Sequence, residues 1–223
     1  MVKVYVDDAI KQVKSNFKNL DADAVAKASV NAINRTLTKG RTVARQEVKG
    51  VYNIPQKNLD GIAKKDARKT LLIGYLGASA KPIPMDAFNP KFKTSGSSIT
   101  ITKRGAQKVK DFVRKRKSVA VGVSIEVIKG KREIVPYAFM LRNGKPRVFA
   151  RGAYRGGGSW GFIQRKQRLN KNGNDTPIKP LVSVTVHGAV INKTVEGKLS
   201  ASINAFFPQR FAHELNYQIQ KMK

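Results

Sequence analysis

The stretch Asn31–Val48, NAINRTLTKGRTVARQEV, decides how the chain begins to fold. Its small and apolar residues recur at steps of three or four, the spacing of one face of an α-helix. The stripe extends in both directions, so the pattern predicts one helix of about thirty residues, roughly 45 Å long at ~1.5 Å per residue. The stripe comprises Ala22, Val25, Ala26, Ser29, Ile33, Leu37, Gly40, Ala44, Val48 and Val51.

The size of the side chains in the stripe indicates that the helix packs closely against another part of the structure. Many of its side chains are small, so we expect another element or subunit to pack closely against it. The predicted contact centres on Ile33, Leu37, Gly40, Ala44 and Val48. On one flank, Arg41, Arg45 and Lys49 form a row at steps of four, which fits either a solvated helix face or a face that binds a partner.

Other helices are predicted on both sides of this one. Ile10, Val13, Phe17 and Leu20 indicate a helix over about residues 5–18. Pro55 suits the start of a short helix that contains Leu59 and Ile62. Near the end of the chain, the pattern predicts a helix that Pro208 ends or restarts, followed by a terminal helix in which Arg210 and Glu214 are spaced to pair. The apolar positions of these two helices are Val190, Val195, Leu199, Ile203, Phe206, Phe211, Leu215 and Ile219.

The middle of the chain has the period of β-strands. Residues 119–127 alternate valine and isoleucine with small or polar residues, which predicts a strand with one buried face. Further strands are expected at 70–77, around Ile99 and Ile101, and at 180–186, and Asn143-Gly144 suits a hairpin turn. The sequence therefore predicts an α+β fold, with long N-terminal helices on a mostly antiparallel sheet and helices at the C-terminus. We expect a single domain over residues 1–223.

The composition is strongly basic, with 44 Lys and Arg against 14 Asp and Glu and a formal charge of +30. Self-repulsion at this charge destabilises a compact monomer, so we expect an anionic partner: nucleic acid, an acidic protein or anionic lipid. No apolar run reaches the roughly 18 residues of a membrane span, and no signal peptide is visible. We therefore expect a protein made in the cytoplasm that binds no membrane.

The sequence offers little that could catalyse a reaction. It contains no cysteine, which excludes disulfides and thiolate sites. Neither His187 nor His213 has a second ligand at metal-binding spacing, and the acids are scattered or placed at helix starts. The glycine-rich RGGGSWG at 155–161 is not followed by the Gly-Lys-Ser/Thr of a phosphate-binding loop. We expect no catalytic residues, no metal and no cofactor, and hence no enzyme.

Two stretches concentrate the positive charge. Eight of the fifteen residues from 103 to 117 are cations: Lys103, Arg104, Lys108, Lys110, Arg114, Lys115, Arg116 and Lys117. Residues 134–174 contain nine more and no acid, interleaved with aromatic side chains. Cations contact phosphates, and aromatic rings stack on bases or pack on protein, so both DNA and an acidic protein fit these stretches. No base-reading element is visible, so any DNA binding should be independent of sequence.

Residues 152–174 are expected to form an inserted, glycine-rich basic arm. Three successive glycines, Gly156 to Gly158, cost on the order of 1–2 kcal/mol each to order. We expect a partner to order this arm, with Trp160 as the anchor. The alternative is a hairpin that closes over the protein's own sheet. The residues expected to dock are Arg155, Trp160, Phe162, Arg165, Lys166 and Arg168.

Several stretches resemble the minor tail protein Z family of tailed bacteriophages. They are AINR at 32–35, TVARQ at 42–46, the basic run before VAVGV, and VPYAFMLRNGKPRVFAR at 135–151. PIKPLVSV and FPQRFAHELNYQI are similar to the closing strand and terminal helix of that family. The resemblance runs in order from about residue 25 to 220, and the segment at about 153–174 departs from it.

The resemblance implies a structural virion protein at the head-proximal end of the tail, the neck where tail and head join. Family members are associated with placing the end of the packaged DNA in the tail, and no catalytic residues come with the resemblance. A closed ring, for which we expect sixfold symmetry, would meet the tail terminator, tail tube and head–tail connector proteins. The alternative, from composition alone, is a free-standing nonspecific nucleic-acid-binding protein. The number of expected strands favours the virion protein.

Overall fold

The computed structural model describes residues 2–3, 22–95, 99–100, 113–114, 119–141, 147–155, 161–164 and 177–221, and the helix expected at 5–18 lies outside them. The helices are α1 (Ala22–Val51), α2 (Gln56–Leu59), α3 (Val186–Val190) and α4 (Lys193–Lys221), with a 3-10 turn at Met85–Ala87. The strands are β1 (Val2–Lys3), β2 (Ile62–Lys65), β3 (Tyr75–Ala78), β4 (Pro82–Pro84), β5 (Lys91–Ser95), β6 (Ile99–Thr100), β7 (Val113–Arg114), β8 (Val119–Ile128), β9 (Lys131–Val135), β10 (Ala138–Leu141), β11 (Arg147–Tyr154), β12 (Phe162–Gln164), β13 (Ile178–Pro180) and β14 (Val182–Thr185). Long helices and antiparallel strand pairs confirm the predicted α+β class.

The chain folds into two compact units. The first contains residues 1–83 and 184–223, and the second contains residues 84–183. The paired strands β4 and β14 contain both points at which the chain passes from one unit to the other. The single domain expected from the sequence stays a prediction, and unfolding of the whole chain in one cooperative transition would test it.

Helices α1 and α4 form the core of the first unit and run antiparallel. Arg35, in the first half of α1, lies against Glu214 near the end of α4, with 3.3 Å between Nε and Oε1. Glu47, near the end of α1, lies 2.7 Å from the Nζ of Lys198 near the start of α4. The two helices therefore contact one another along most of their lengths.

The apolar stripe of α1 is buried along most of the helix. A Cβ atom on Gly40 would lie 3.4 Å from the side chain of Ile203, an ordinary van der Waals distance, so α4 passes directly beside this glycine. The buried face is wider than one stripe because β2 and β3 also pack against α1. Ala22 is exposed, and Ala26 and Val51 are half-buried, contrary to the pattern. The buried residues are Ala24, Val25, Ala28, Ser29, Ala32, Ile33, Thr36, Leu37, Gly40, Ala44 and Val48.

Helix α4 continues through Pro208, so the prediction that this proline ends or restarts the helix is wrong. Proline cannot donate the helical hydrogen bond to the preceding turn. Packing compensates for that loss, since Phe207 and Phe211 are both buried and their rings stack with centroids 5.9 Å apart. Phe207 is buried where the pattern had placed Phe206, and Val190 belongs to the separate helix α3.

The small sheet of the first unit has the order β1-β3-β2. The short helix after Pro55 ends at Leu59, and Ile62, which was expected to belong to it, is fully buried in β2. The strand expected at 70–77 begins at Tyr75, where its pairing with β2 begins, and Gly74 just before it is buried against α1. A Cβ atom on this glycine would lie 2.9 Å from the side chain of Ile33, so any other residue would force that side chain to shift.

In the second unit, β8 pairs with β5 on one side and with β9 on the other. It confirms the strand predicted from alternating valines, although its middle is covered on both faces. Gly122 and Ser124 are buried, as are Val123 and Ile125. Gly122 has a φ of 136°, and a Cβ atom there would lie 2.7 Å from the Cα of Pro136, which explains the glycine.

The other sheet of the second unit is built around β11, which pairs with β10, β12 and β13. Leu141 of β10 lies opposite Arg147 of β11, which confirms the predicted hairpin, while its turn at Asn143-Gly144 lies outside the described residues. The last strand, expected at 180–186, is divided into β13 and β14. Thr185 ends β14 by capping α3, since its hydroxyl accepts a hydrogen bond of 2.9 Å from the Gly188 N–H.

Candidate functional site

The described carboxylates are mostly neutralised within the protein. All except those of Asp86 and Glu196 form a salt bridge with a described lysine or arginine. Because cations outnumber acids by 44 to 14, these pairs leave a large surplus of lysine and arginine on the surface. Exposed members of that surplus include Lys57, Lys65, Lys81 and Lys193.

A buried carboxylate joins the two long helices. The side chain of Glu214 is only 7% exposed, and its Oε1 lies 2.5 Å from Nη2 of Arg210 one turn earlier on α4. From α1, Arg35 reaches the same oxygen at 3.3 Å, and the Asn31 amide donates to the other oxygen at 3.4 Å. The pairing of Arg210 with Glu214 confirms the prediction. The contribution of α1 was not predictable, because no local spacing relates Asn31 to a residue 183 positions away.

A second polar contact fixes α1 to the loop before β3. The side-chain oxygen of Asn34 accepts a hydrogen bond of 2.7 Å from the Ala67 N–H, and its amide donates to the Ala67 carbonyl at 3.3 Å. The side chain therefore pairs with both polar groups of one residue, much as a neighbouring strand would. Together with Asn31 and Arg35, it gives the polar residues of NAINR a structural role.

The row of cations on the flank of α1 is partly committed to the fold. Arg41 donates from Nε to the Ile62 carbonyl at 2.8 Å, and Arg45 pairs with Asp60 at 2.8 Å. These two arginines hold β2 and the preceding turn against the helix, which neither of the open interpretations of the row had included. Lys49, the third member of the row, is exposed.

The structure locates the residues of the predicted basic run and arm only in part. Arg114 lies in β7, opposite Ile99. Arg155 is exposed at the end of β11, and Phe162 lies in β12. The five residues at which α1 was predicted to pack against another element are all buried. They are Ile33, Leu37, Gly40, Ala44 and Val48. The remaining predicted contact residues, Lys103, Arg104, Lys108, Lys110, Lys115, Arg116, Lys117, Trp160, Arg165, Lys166 and Arg168, lie outside the described residues.

The segment expected to be an extended arm begins as a hairpin. Strand β12 pairs with the end of β11, with Phe162 opposite Tyr154 and Gln164 opposite Gly152. The Phe162 ring stacks on Tyr137 with centroids 5.9 Å apart, and meets the ring of Tyr154 edge-on at 5.1 Å. These described residues match the alternative of a hairpin on the protein's own sheet, and docking of the arm on a partner stays a prediction.

The hydroxyl of Tyr154 closes this corner of the sheet. It donates a hydrogen bond of 2.9 Å to the Pro180 carbonyl and accepts one of 3.0 Å from the Val182 N–H. Partial burial raises the pKa of Tyr154 above its ordinary value, although the hydrogen bond from Val182 opposes that effect. The end of β11 and the junction between β13 and β14 are therefore held together by one side chain.

A cleft of about 420 Å³ opens between the start of α1 and the end of α4. Lys27 and Lys69 line it and both pair with Asp23, at 2.7 and 3.0 Å, and their hydrogen bonds lower the pKa of that carboxyl. In the part of the chain that the structure describes, no group of three or more His, Asp or Glu side chains is arranged to hold a metal ion. None of the described helices is long and apolar enough to cross a membrane.

The fold and the surplus of cations define a basic α+β protein. Comparison with protein families is more specific: the chain belongs to the prophage minor tail protein Z family, whose family model matches residues 6–223. It is therefore a structural protein of a phage tail, and its place is in the tail of the virion. No curated protein and no solved structure matches the chain.

Proposed function

We propose that this protein completes the tail at its head-proximal end and joins the tail to the head. The observation that carries the proposal is the pairing of most described carboxylates within the protein, which leaves a cationic surface, on a chain that belongs to a tail-protein family. A cationic surface is suited to the end of the packaged DNA and to acidic neighbouring proteins. In this position the copies form a closed ring, with sixfold symmetry as the expectation. The neighbours are the tail terminator, tail tube and head–tail connector proteins.

Imaging of the intact particle tests the position and the ring. A small tag fused to this protein, located by cryo-electron microscopy, should mark a closed ring between head and tail. A single asymmetric copy, or a tag at the distal end of the tail, would overturn this proposal. The lysate of a phage that lacks the protein should contain heads and tails that are not joined.

The contact with DNA has its own test, since phosphate contacts release counterions. Each contact contributes about −0.9 to the slope of log affinity against log salt. Replacing Arg114, Lys115, Arg116 and Lys117 with alanine should therefore flatten the slope for duplex DNA by about 3 to 4 if all four contact phosphate. A control variant removes the same charge at Lys57, Lys65, Lys81 and Lys193, which are exposed and lie elsewhere in the sequence.

The two variants separate a local contact from a general effect of charge. If they flatten the slope equally, DNA responds only to the total charge of the protein. An unchanged slope in the first variant means that the basic run meets acidic protein or solvent. The alternative function, a free-standing nucleic-acid-binding protein, requires that the protein be absent from purified particles, which an immunoblot of those particles decides.

A further inference from the structure

One exposed face of α4 carries no lysine, arginine, aspartate or glutamate. The buried residues of this helix recur at steps of four, as at Leu199, Ile203 and Phe207. A residue two positions further along lies about 200° around the helix, so the exposed residues follow the same steps on the opposite side. We call this surface the neutral face of α4. Its exposed residues are Ser200, Ala201, Asn204, Ala205, Pro208, Gln209, Ala212, His213, Asn216, Tyr217 and Gln220.

The neutral face is unusual for this chain, whose formal charge is +30. Arg210 and Glu214 are the only two charged residues from Leu199 to Gln220, and they pair with each other at the contact with α1. Helix α1 exposes as many residues as the neutral face does, and its exposed residues include five with charge. They are Asp23, Lys27, Arg35, Lys39 and Lys49. Exposure on a helix of this chain therefore does not by itself explain the absence of charge.

The neutral face also has a shape that suits protein packing. Two adjacent rows of side chains run along it at steps of four, one through Ala201 and Ala205 and the other through Asn204 and Pro208. Rows at this step are the ridges that interdigitate in the commonest class of helix packing. Most of these side chains are short, so a partner can approach closely. Tyr217, which is 54% exposed, adds a large ring near the end of the face.

We propose that the neutral face of α4 packs against a second copy of this chain. Each copy has a formal charge of +30, so two copies repel wherever their cationic surfaces approach each other. A face without cations avoids that local repulsion, whichever surface of the neighbouring copy it meets. The inference rests on the proposed function in one respect, the presence of several copies in the particle. It requires neither a position at the neck nor a contact with DNA.

Anionic partners have less to gain from this face. DNA binds through contacts between its phosphates and lysine or arginine, and acidic proteins bind best to a surface of the opposite charge. The neutral face offers neither. Exposed cations that suit such partners lie elsewhere, for example Lys39 and Lys49 on α1. With copies in contact through α4, those cationic surfaces stay available for anionic neighbours.

Added positive charge tests this contact. Ala205→Lys with Gln209→Lys places two cations on the neutral face. The matched control, Thr42→Lys with Gln46→Lys, adds the same charge at the same spacing on exposed positions of α1. Melting curves of both variants should stay close to that of the wild type. We expect the first variant to be incorporated into particles at least about tenfold less than the control, because like charges across an interface suppress binding. Equal incorporation of the two variants would contradict the proposal.

Added negative charge separates a second copy from an anionic partner. Ala205→Glu with Gln209→Glu should be incorporated better than the lysine variant, because the neighbouring copy is basic. An acidic protein or DNA would give the opposite order, with the lysines favouring incorporation and the glutamates preventing it. That order would overturn the proposal.

Photo-crosslinking identifies the partner directly in particles assembled with the full-length chain. A benzoylphenylalanine is placed at Gln209 or at Tyr217, where it is close in size to the ring that it replaces. A denaturing gel of irradiated particles should show an adduct with twice the mass of the 24.6 kDa chain, and mass spectrometry of the linked peptides should find two copies of it. Adducts only with another polypeptide or with DNA, or no adduct at either position, would overturn the proposal.

The same particles separate this inference from the proposed function. If the tag on this protein lies away from the neck while the adduct between copies remains, the position at the neck fails and the contact through α4 stands. If the tag marks a ring at the neck but neither position gives the adduct, the contact through α4 fails alone.

Discussion

Glu214→Gln is the substitution that most directly tests the buried ion pair of α4, which lies against α1. It keeps the size of the side chain but removes the charge that pairs with Arg210 and Arg35. The side chain of Glu214 is 7% exposed and that of Arg210 is 22% exposed, so this pair is shielded from water. The Nε of Arg210 is already buried without a hydrogen-bond partner among the described residues.

The expected cost follows from how much of each partner is buried. Removing one partner of a fully buried ion pair costs about 3–5 kcal/mol. Arg210 retains some access to water, so we expect about 3 kcal/mol for Glu214→Gln, near the lower end of that range. Arg35 is 64% exposed, and an exposed pair is worth less than about 1 kcal/mol. The loss should therefore come almost entirely from the pair within α4.

The assay is unfolding by denaturant and by heat, with the helices monitored by circular dichroism. For a chain of this size, ~3 kcal/mol corresponds to a fall of roughly 6–12 °C in the melting temperature. Two controls accompany the measurement: Arg35→Gln, which should cost less than about 1 kcal/mol, and Glu196→Gln, an exposed glutamate on the same helix. A Glu214→Gln variant within about 0.5 kcal/mol of the wild type, the range of ordinary surface changes, would refute this reasoning.

Three further predictions use the same assay. Gly74→Ala should cost about 1–3 kcal/mol because the new methyl group overlaps the side chain of Leu37, whereas Gly77→Ala, with no atom within 4 Å of the new Cβ, should be far milder; equal costs would contradict the packing of this glycine against α1. Asn34→Ala should cost about 1–3 kcal/mol by leaving two polar backbone groups of the loop without their partner, and a neutral result would show that water replaces the side chain. The raised pKa of Tyr154 means that its contribution is complete below about pH 10, the ordinary tyrosine value, and is lost as the pH rises through the folded-state value. Tyr154→Phe should therefore lose less stability than the wild type at alkaline pH, and parallel pH profiles would contradict this assignment.

The sequence predicts best those elements in which a regular pattern of apolar residues continues over many positions. The stripe around Ile33 and Leu37 predicts α1 because thirty residues keep one face apolar. Alternating valines predict β8, and the pairing of β10 with β11 follows from the apolar runs on either side of Asn143-Gly144. In each of these elements the local pattern agrees with the tertiary contacts, so local information is enough.

The errors occur where tertiary packing overrides a local signal. Pro208 is a helix breaker by its chemistry, yet α4 continues through it, with two buried phenylalanines packed on either side of it in sequence. Ile62 fits a helical spacing from Leu59 but pairs with Ala78 in a sheet. The partners of Glu214 on α1 are beyond the reach of any spacing rule.

The division of the first unit between both ends of the sequence sets the order in which the chain can fold during synthesis. Helix α1 leaves the ribosome early, but its partner α4 is made only after residues 84–183, which form the second unit. The second unit is contiguous in the sequence, so all of its residues are made before α4. Throughout that interval the apolar stripe of α1 has no α4 to cover it. Because like charges repel, we expect the lysines and arginines that flank the stripe to keep nascent chains apart while the protein is being made.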